Sequence, residues 1–257
     1  MKRKSQIRPL PIRLASIAAF LLIWQIAGTL SGSLSVPTFS DTLLAWWNLI
    51  VTGELPAAIM LSISAMVLGL LAAIAAGSAL GLAMGWFRLM EEALEPYMQI
   101  LLVIPMMALV PVIVVLFGFT VTARATVVFL FAVVIITLNI YTGVRTVDRS
   151  LVEMSKSFGI SQRQLFLKIL LPGSTPAIIA GIRLGIGRAF VGMVAAEMMI
   201  ASAGFGNLLV EYKGAFKPHY VFAIVLTIIV LSLIVTSIAK TVESRLLRWN
   251  WNNAAAE

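Results

Sequence analysis

The sequence predicts an all-α integral membrane protein with six transmembrane helices, and three observations lead there. Of 257 residues, 60% are hydrophobic and 12% charged, and the mean hydropathy is +1.01, well outside the range of a soluble domain. Apolar runs of spanning length recur at about 14–30, 57–86, 96–117, 123–145, 175–200 and 220–239. The net charge of +8 sits on bases at the ends of these runs, which fits the cytoplasmic bias of Lys and Arg better than a nucleic-acid surface. The chain has no cysteine, so disulfides, thiolate metal sites and cysteine nucleophiles are excluded.

The elements follow in order. Lys2, Arg3, Lys4, Arg8 and Arg13 precede the first run, which is too long and too poor in a small-residue cleavage site for a signal peptide, so residues 1–13 form a cytoplasmic basic N-terminus. Residues 31–56 are external, where Pro37 and a Ser40 cap open a short helix whose Trp46 and Trp47 suit a membrane interface. The second span carries Gly69, Ala73, Gly77, Gly81 and Gly85 at intervals of four, a ridge of small residues that lets another helix approach closely. Arg88, Glu91, Glu92 and Glu95 read as a solvated cytoplasmic loop, with no histidine to make a metal site. Pro105 and Pro111 interrupt the third span, each removing a helical hydrogen bond. In lipid such breaks persist where protein or a water-filled cavity satisfies the freed carbonyls, so this span is either a kinked packing helix or a pore wall. After a turn at Gly118 to Thr122, the fourth span runs from Ala123 to Arg145. Residues 201–219 are polar and external, containing Lys213, Lys217 and the single His219, a solvated or structural histidine. The sixth span leads through Lys240, Arg245 and Arg248 to a cytoplasmic tail at 246–257.

Between spans four and five lies a polar interruption, 148–172, reading DRSLVEMSKSFGISQRQLFLKILLP. Ser150 and Glu153 have the spacing of a capping box, Gly159 suits a left-handed helix stop, Ser161 and Gln164 repeat the start signal, and Pro172 closes a second helix. Leu151, Met154, Ser155 and Phe158 share one face of the first piece, and Leu165, Phe166, Ile169 and Leu170 make a stripe on the second. Locally this fits a loop on lipid headgroups, a DNA-binding helix-turn-helix, or a docking element for a soluble partner. The membrane flanks leave no room for the rest of a DNA-binding domain, so nucleic acid is not expected as a partner.

Glu153, Gly159 six residues on, then Ile169, Leu171 and Pro172 resemble the EAA motif of permease subunits of binding-protein-dependent ABC importers, with Met154 and Ser155 where the motif has alanines. The stretches VPTFSDTLLAWWNLIVTGEL, P-x-x-A-L-x-P-x-x-x-x-x-F-G at Pro105 to Gly118, and GIRLGIGRAFVGMVAAEM at Gly181 to Met198 resemble the nitrate, sulfonate, taurine and bicarbonate branch. The resemblance implies a type I ABC importer permease fold, with a cytoplasmic coupling helix in which Glu153, Met154, Ser155, Phe158, Gly159, Ile169, Leu171 and Pro172 dock an ATPase. It also implies two such ATPases holding ATP and Mg, a second copy of the permease as a homodimer, an extracytoplasmic substrate-binding protein, and residence in a bacterial cytoplasmic (inner) membrane with both termini inside. A domain reading follows: 14–245 is the permease, flanked by the basic N-terminus and the tail.

No G-x-x-x-x-G-K-[ST] loop, Ser-His-Asp set or metal cluster occurs, so no cofactor and no catalytic residue is expected in this chain. A secondary carrier or channel is the alternative, but the halves show no convincing internal repeat. Within the spans stand Arg183, Arg188 and Glu197. Arg183 reads as reaching toward the cytoplasm. Arg188 lies near the middle of the fifth span, where lipid exposure of a guanidinium costs about 2.5 to 3.5 kcal/mol, so it faces protein or water. Glu197 is on the opposite face of that helix and cannot pair with it. Arg188, Pro105, Pro111 and Glu197 are therefore the candidates for a path taken by a small anion, whose oxygens suit a guanidinium fork.

Overall fold

The long apolar helices assemble around one central member. The structure, a computed structural model, describes residues 9–32, 36–200 and 203–247. In order these form α1 (Pro9–Leu30), α2 (Phe39–Val51), α3 (Glu54–Trp86), α4 (Arg88–Val103), a 3₁₀ turn (Met106–Leu109), α5 (Val110–Phe117), α6 (Val121–Arg145), α7 (Arg149–Ser157), α8 (Gln162–Leu165), a π turn (Phe166–Leu170), α9 (Leu171–Ile200), α10 (Gly204–Gly214) and α11 (Pro218–Leu246). The basic residues at 2, 3, 4 and 8, Arg248 and the rest of the tail lie outside the described residues.

α6 is packed between α3 and α9, and glycines set how closely it is held. A Cβ on Gly81 of α3 would stand 2.7 Å from the Thr137 carbonyl oxygen, and one on Gly85 2.5 Å from Cβ of Val144. On the other side, a Cβ on Gly185 of α9 would stand 2.5 Å from Ile136 Cγ1. The small-residue ridge is thus a packing ridge, where helices come close enough for dispersion to act without a hydrophobic driving force. Gly81→Val is expected to push α3 and α6 apart and destabilise the protein by about 1 to 3 kcal/mol. Gly214→Ala, whose Cβ meets nothing within 4 Å, should leave thermal unfolding of the purified protein unchanged.

Several expectations change here. Four helices are long and apolar enough to cross a membrane: α3, the continuous Gln162–Ile200, α6 and α11. A fifth is present if the pair Arg88–Val103 and Met106–Phe117, bent by 95°, is one broken span. The apolar part of α1, Leu14–Leu30, is at the short end of the roughly 17 to 25 residues a span requires. The predicted loop at Arg88 to Glu95 is instead the first half of α4, supported by an ion pair one turn apart between Arg88 and Glu92. Pro105 does break the third span. Pro111 opens α5 rather than interrupting it, because its missing N–H falls in a first turn that has no acceptor to offer.

Helix α2, read from sequence as external, is capped by Thr38 and not by Ser40: Thr38 Oγ1 accepts from Asp41 N at 3.1 Å, while Ser40 is held by Gln25 of α1. Trp46 turns inward, its indole donating to Thr227 Oγ1 of α11 at 3.0 Å, and Trp47 alone of the pair is exposed. The region 201–219, read as polar and external, contains α10, whose Phe205 and Leu208 are buried.

Candidate functional site

The interruption between α6 and α9 folds as a helix, a turn and a helix. α7 is started by Asp148, whose carboxylate accepts from Ser150 N at 2.8 Å; Ser150 is therefore not the cap, and Glu153 is exposed and free of a capping bond. An aspartate two residues upstream takes the cap because it stands at the N-cap position itself, with its carboxylate in reach of a free N–H of the first turn, whereas Ser150 already lies inside that turn. Gly159 has φ +71°, so the left-handed stop is present. Ser161 and Gln164 form the expected reciprocal capping box. The chain does not stop at Pro172. A π turn at Phe166–Leu170, in which Leu171 N–H reaches back to the Phe166 carbonyl, widens the helix just before the proline and carries it on into α9.

These turns fix which side chains face outward. Ser155 is turned in, donating to the Leu151 carbonyl at 2.6 Å, whereas Leu151, Met154 and Phe158 stand in the open, Phe158 at 79% exposure. Leu165 and Leu170 are buried, Ile169 and Leu171 are half-buried, and Pro172 is exposed. Phe166 meets Trp86 of α3 edge-on, ring centroids 5.2 Å apart, which ties the segment to the end of a long helix. Behind α7 a polar cleft of about 1120 Å³ opens between Glu91, Tyr141, Arg145, Arg149, Glu153 and Lys156. Glu91 of α4 accepts from Tyr141 at 2.6 Å and pairs with Arg145, both of α6, so the cleft has a braced floor.

Inside the bundle the candidate residues separate. Arg188 is exposed on the outward face of α9, flanked by exposed Leu184 and Val191, and has no ion pair among the described residues. Beside Val191 a groove of about 460 Å³ runs along Val194, Met198 and Ile229 to Met107, in the 3₁₀ turn that Pro105 opens. The broken span and the outward face of α9 are thus neighbours. Arg183 pairs with Glu243 of α11 at 2.8 Å rather than simply reaching to the cytoplasm. Glu197 is 1% exposed: it accepts from Ser62 Oγ at 2.8 Å and from Phe205 N at 2.9 Å, and its Oε1 lies 3.6 Å from Arg124 Nη1. It faces packed protein and not the groove.

The family model for binding-protein-dependent transport system inner membrane components matches residues 69–248. The chain belongs to that family. This permease is 30% identical over 234 residues to the putative aliphatic sulfonates transport permease protein SsuC of Bacillus subtilis, covering 90% of this chain and 85% of the relative. Its identity to the Escherichia coli protein described in the same words is 31% over 231 residues, 89% and 88% of the two chains. With the nitrate import permease protein NrtB of Synechocystis it shares 29% over 220 residues, 82% and 80% of the two. Its fold is that of the inward-facing MetNI methionine ABC transporter, at a TM-score of 0.60 and 16% identity over 74% of this chain and 93% of that one. The permease is therefore the membrane component of an ABC importer, in the sulfonate and nitrate branch, and is not itself the ATPase.

Reading the permease from sequence missed the Arg124–Glu197 pair. Arg124, at the start of the fourth span, counts from sequence among the few bases placed outside, yet it is 4% exposed. Two signals were present: a base on the side where the positive-inside bias predicts few, and a carboxylate at the same end of another span. Neither says that the two meet, because the contact crosses from α6 to α9.

Proposed function

We propose that this permease takes a small anion of sulfonate, taurine, nitrate or carboxylate type from an extracytoplasmic binding protein. It passes the anion between two copies of itself by alternating access, driven by two cytoplasmic ATPases. Those subunits hold the ATP and Mg, and this chain supplies no cofactor site. In this reading the short α1 and the broken α4–α5 pair are both spans. The count is then six, both termini are cytoplasmic, and 14–245 is the permease domain between the basic N-terminus and the tail at 246–257. Reporter fusions after Phe119 and after Lys213 should then report an external location and fusions after Ser161 and Leu247 a cytoplasmic one; an external signal at Ser161 overturns the orientation.

The observation that carries the coupling is the apolar face of α7, where Leu151, Met154 and Phe158 are exposed among the described residues. A cytoplasmic ATPase supplies the cover. Docking there reaches the bundle through Phe166 on Trp86 and through the unbroken run from α8 into α9, so a shift of α7 tilts α3 and α9 together. Gly159→Val tests it. A Cβ at Gly159 meets nothing within 4 Å, so only the positive φ resists the branched side chain, at about 1 to 2 kcal/mol. The variant is expected in the membrane at normal abundance but with weakened ATPase association or hydrolysis uncoupled from uptake, and Glu153→Lys, which reverses a charge in the cleft behind the same helix, should act alike. Normal transport by both variants counts against the docking role.

A further inference from the structure

We propose that the turn between α10 and α11 is the anchor by which the binding protein grips this permease, with Phe216 as the inserted side chain and Lys213 and Lys217 as its charged rim. The inference rests on the importer reading above and on the orientation that puts this turn outside.

Phe216 combines two features that packing does not account for. It is 91% exposed, and it holds φ +52°, the one non-glycine with positive φ among the described residues. A phenyl side chain in the left-handed region is sterically disfavoured, and the position that ends a helix this way is ordinarily given to glycine. Gly214 stands two residues earlier and does not fill it. The surroundings hold the conformation firmly. Lys217 N donates to the Tyr212 carbonyl at 3.0 Å and Phe216 N to that of Lys213 at 3.2 Å. Tyr212 and Tyr220 stack at 4.4 Å beneath the turn, and the Lys217 ammonium lies 5.7 Å from the Tyr220 ring centroid. Tyr212 donates to Glu54 of α3 at 2.6 Å, which fastens the turn to the bundle. An exposed aromatic kept in a disfavoured backbone by this much structure is a side chain aimed at something.

The chemistry selects the partner. Aromatic anchors carry a large share of protein–protein affinity when they fill an apolar hollow, and flanking bases guide the approach of an acidic rim. The complementary surface is thus an apolar pocket edged by carboxylates. A lipid surface fits less well. Interfacial anchors are Trp and Tyr, whose polar tips bond to headgroups, whereas Phe has none. A fluid headgroup layer also accepts a phenyl ring from any direction, which gives no reason for a fixed, disfavoured one.

The test uses the permease–ATPase complex in nanodiscs and its cognate binding protein. Phe216→Gly relieves the backbone and removes the ring, so assembly and basal ATP hydrolysis should be unchanged. Affinity for the binding protein, and the stimulation it produces, should fall about tenfold or more. Phe216→Trp should bind nearly as the parent does. Because the permease has no cysteine, Phe216→Cys carries a single bimane label, whose emission should shift to the blue when binding protein is added. Parental affinity in Phe216→Gly overturns the proposal. So does a bimane label quenched by brominated lipid and unresponsive to binding protein, which makes the turn a membrane contact. If the parent complex itself neither binds nor responds to the binding protein, the importer reading fails with it, and that result is distinct from a loss confined to the variant.

Discussion

Arg124→Leu is expected to destabilise the permease by about 3 to 5 kcal/mol, more than any other single change considered for this chain. Glu197, 1% exposed, would keep its bonds to Ser62 and Phe205 N but lose the only cation near it among the described residues. The guanidinium is 3.6 Å away, a charge contact rather than a hydrogen bond, so what is lost is chiefly compensation of a buried charge. The damage should centre on α10. Glu197 receives the first turn of that helix, and a Cβ at Gly204 would stand 2.4 Å from its Oε1. The companion experiment is the double change Arg124→Leu with Glu197→Gln, which removes both charges and keeps an amide oxygen to accept from Phe205 N. Thermal unfolding of the purified protein should show much of the loss recovered in the double variant. A single variant as stable as the parent means the pair is not desolvated in the membrane, and a double variant no better than the single means charge compensation is not the cause.

Arg188→Met is expected to abolish uptake while leaving the complex assembled and the affinity of the binding protein for its substrate unchanged. The substitution keeps length and apolar bulk and deletes one charge. In the single chain Arg188 stands exposed on α9, with no ion pair among the described residues, one turn from the groove that reaches Met107. In a bilayer such a charge must be covered, and the cover proposed is water and substrate between two copies of the permease. Uptake of labelled sulfonate or nitrate into vesicles measures it, and Arg188→Lys separates charge from geometry. If charge alone matters, Lys restores much of the rate; if a planar fork is needed, it does not. Normal uptake by Arg188→Met, or loss of assembly, makes the arginine a packing residue.

The importer class and most of the element positions were legible in the chain because their causes are local or periodic. An apolar run crosses a bilayer whatever its neighbours do, Gly159 needs only its own φ, and the Ser161–Gln164 box closes within one turn. The glycine ridge of α3 also announced close packing, since small residues every four positions can hardly mean anything else. Other features depended on where helices meet. Charge pattern alone made Arg88 to Glu95 a loop, whereas Glu91 is bound to Tyr141 and Arg145 of α6 and belongs to a helix. Pro172 looked like a stop, and a π turn just before it absorbed the proline. Arg124 and Glu197, 73 residues apart by their numbers, were each visible, but only the packing of α9 on α6 turned two isolated charges into a buried pair. The sequence by itself determined the membrane character, the Gly159 stop with the Ser161 start beyond it, and the family, because hydropathy, a glycine turn, a capping box and motif spacing act over a few residues. Tertiary structure decided which face of each helix is sealed and which is open, leaving Glu197 enclosed and Arg188 exposed on one helix, because burial is set by neighbours that no local pattern names.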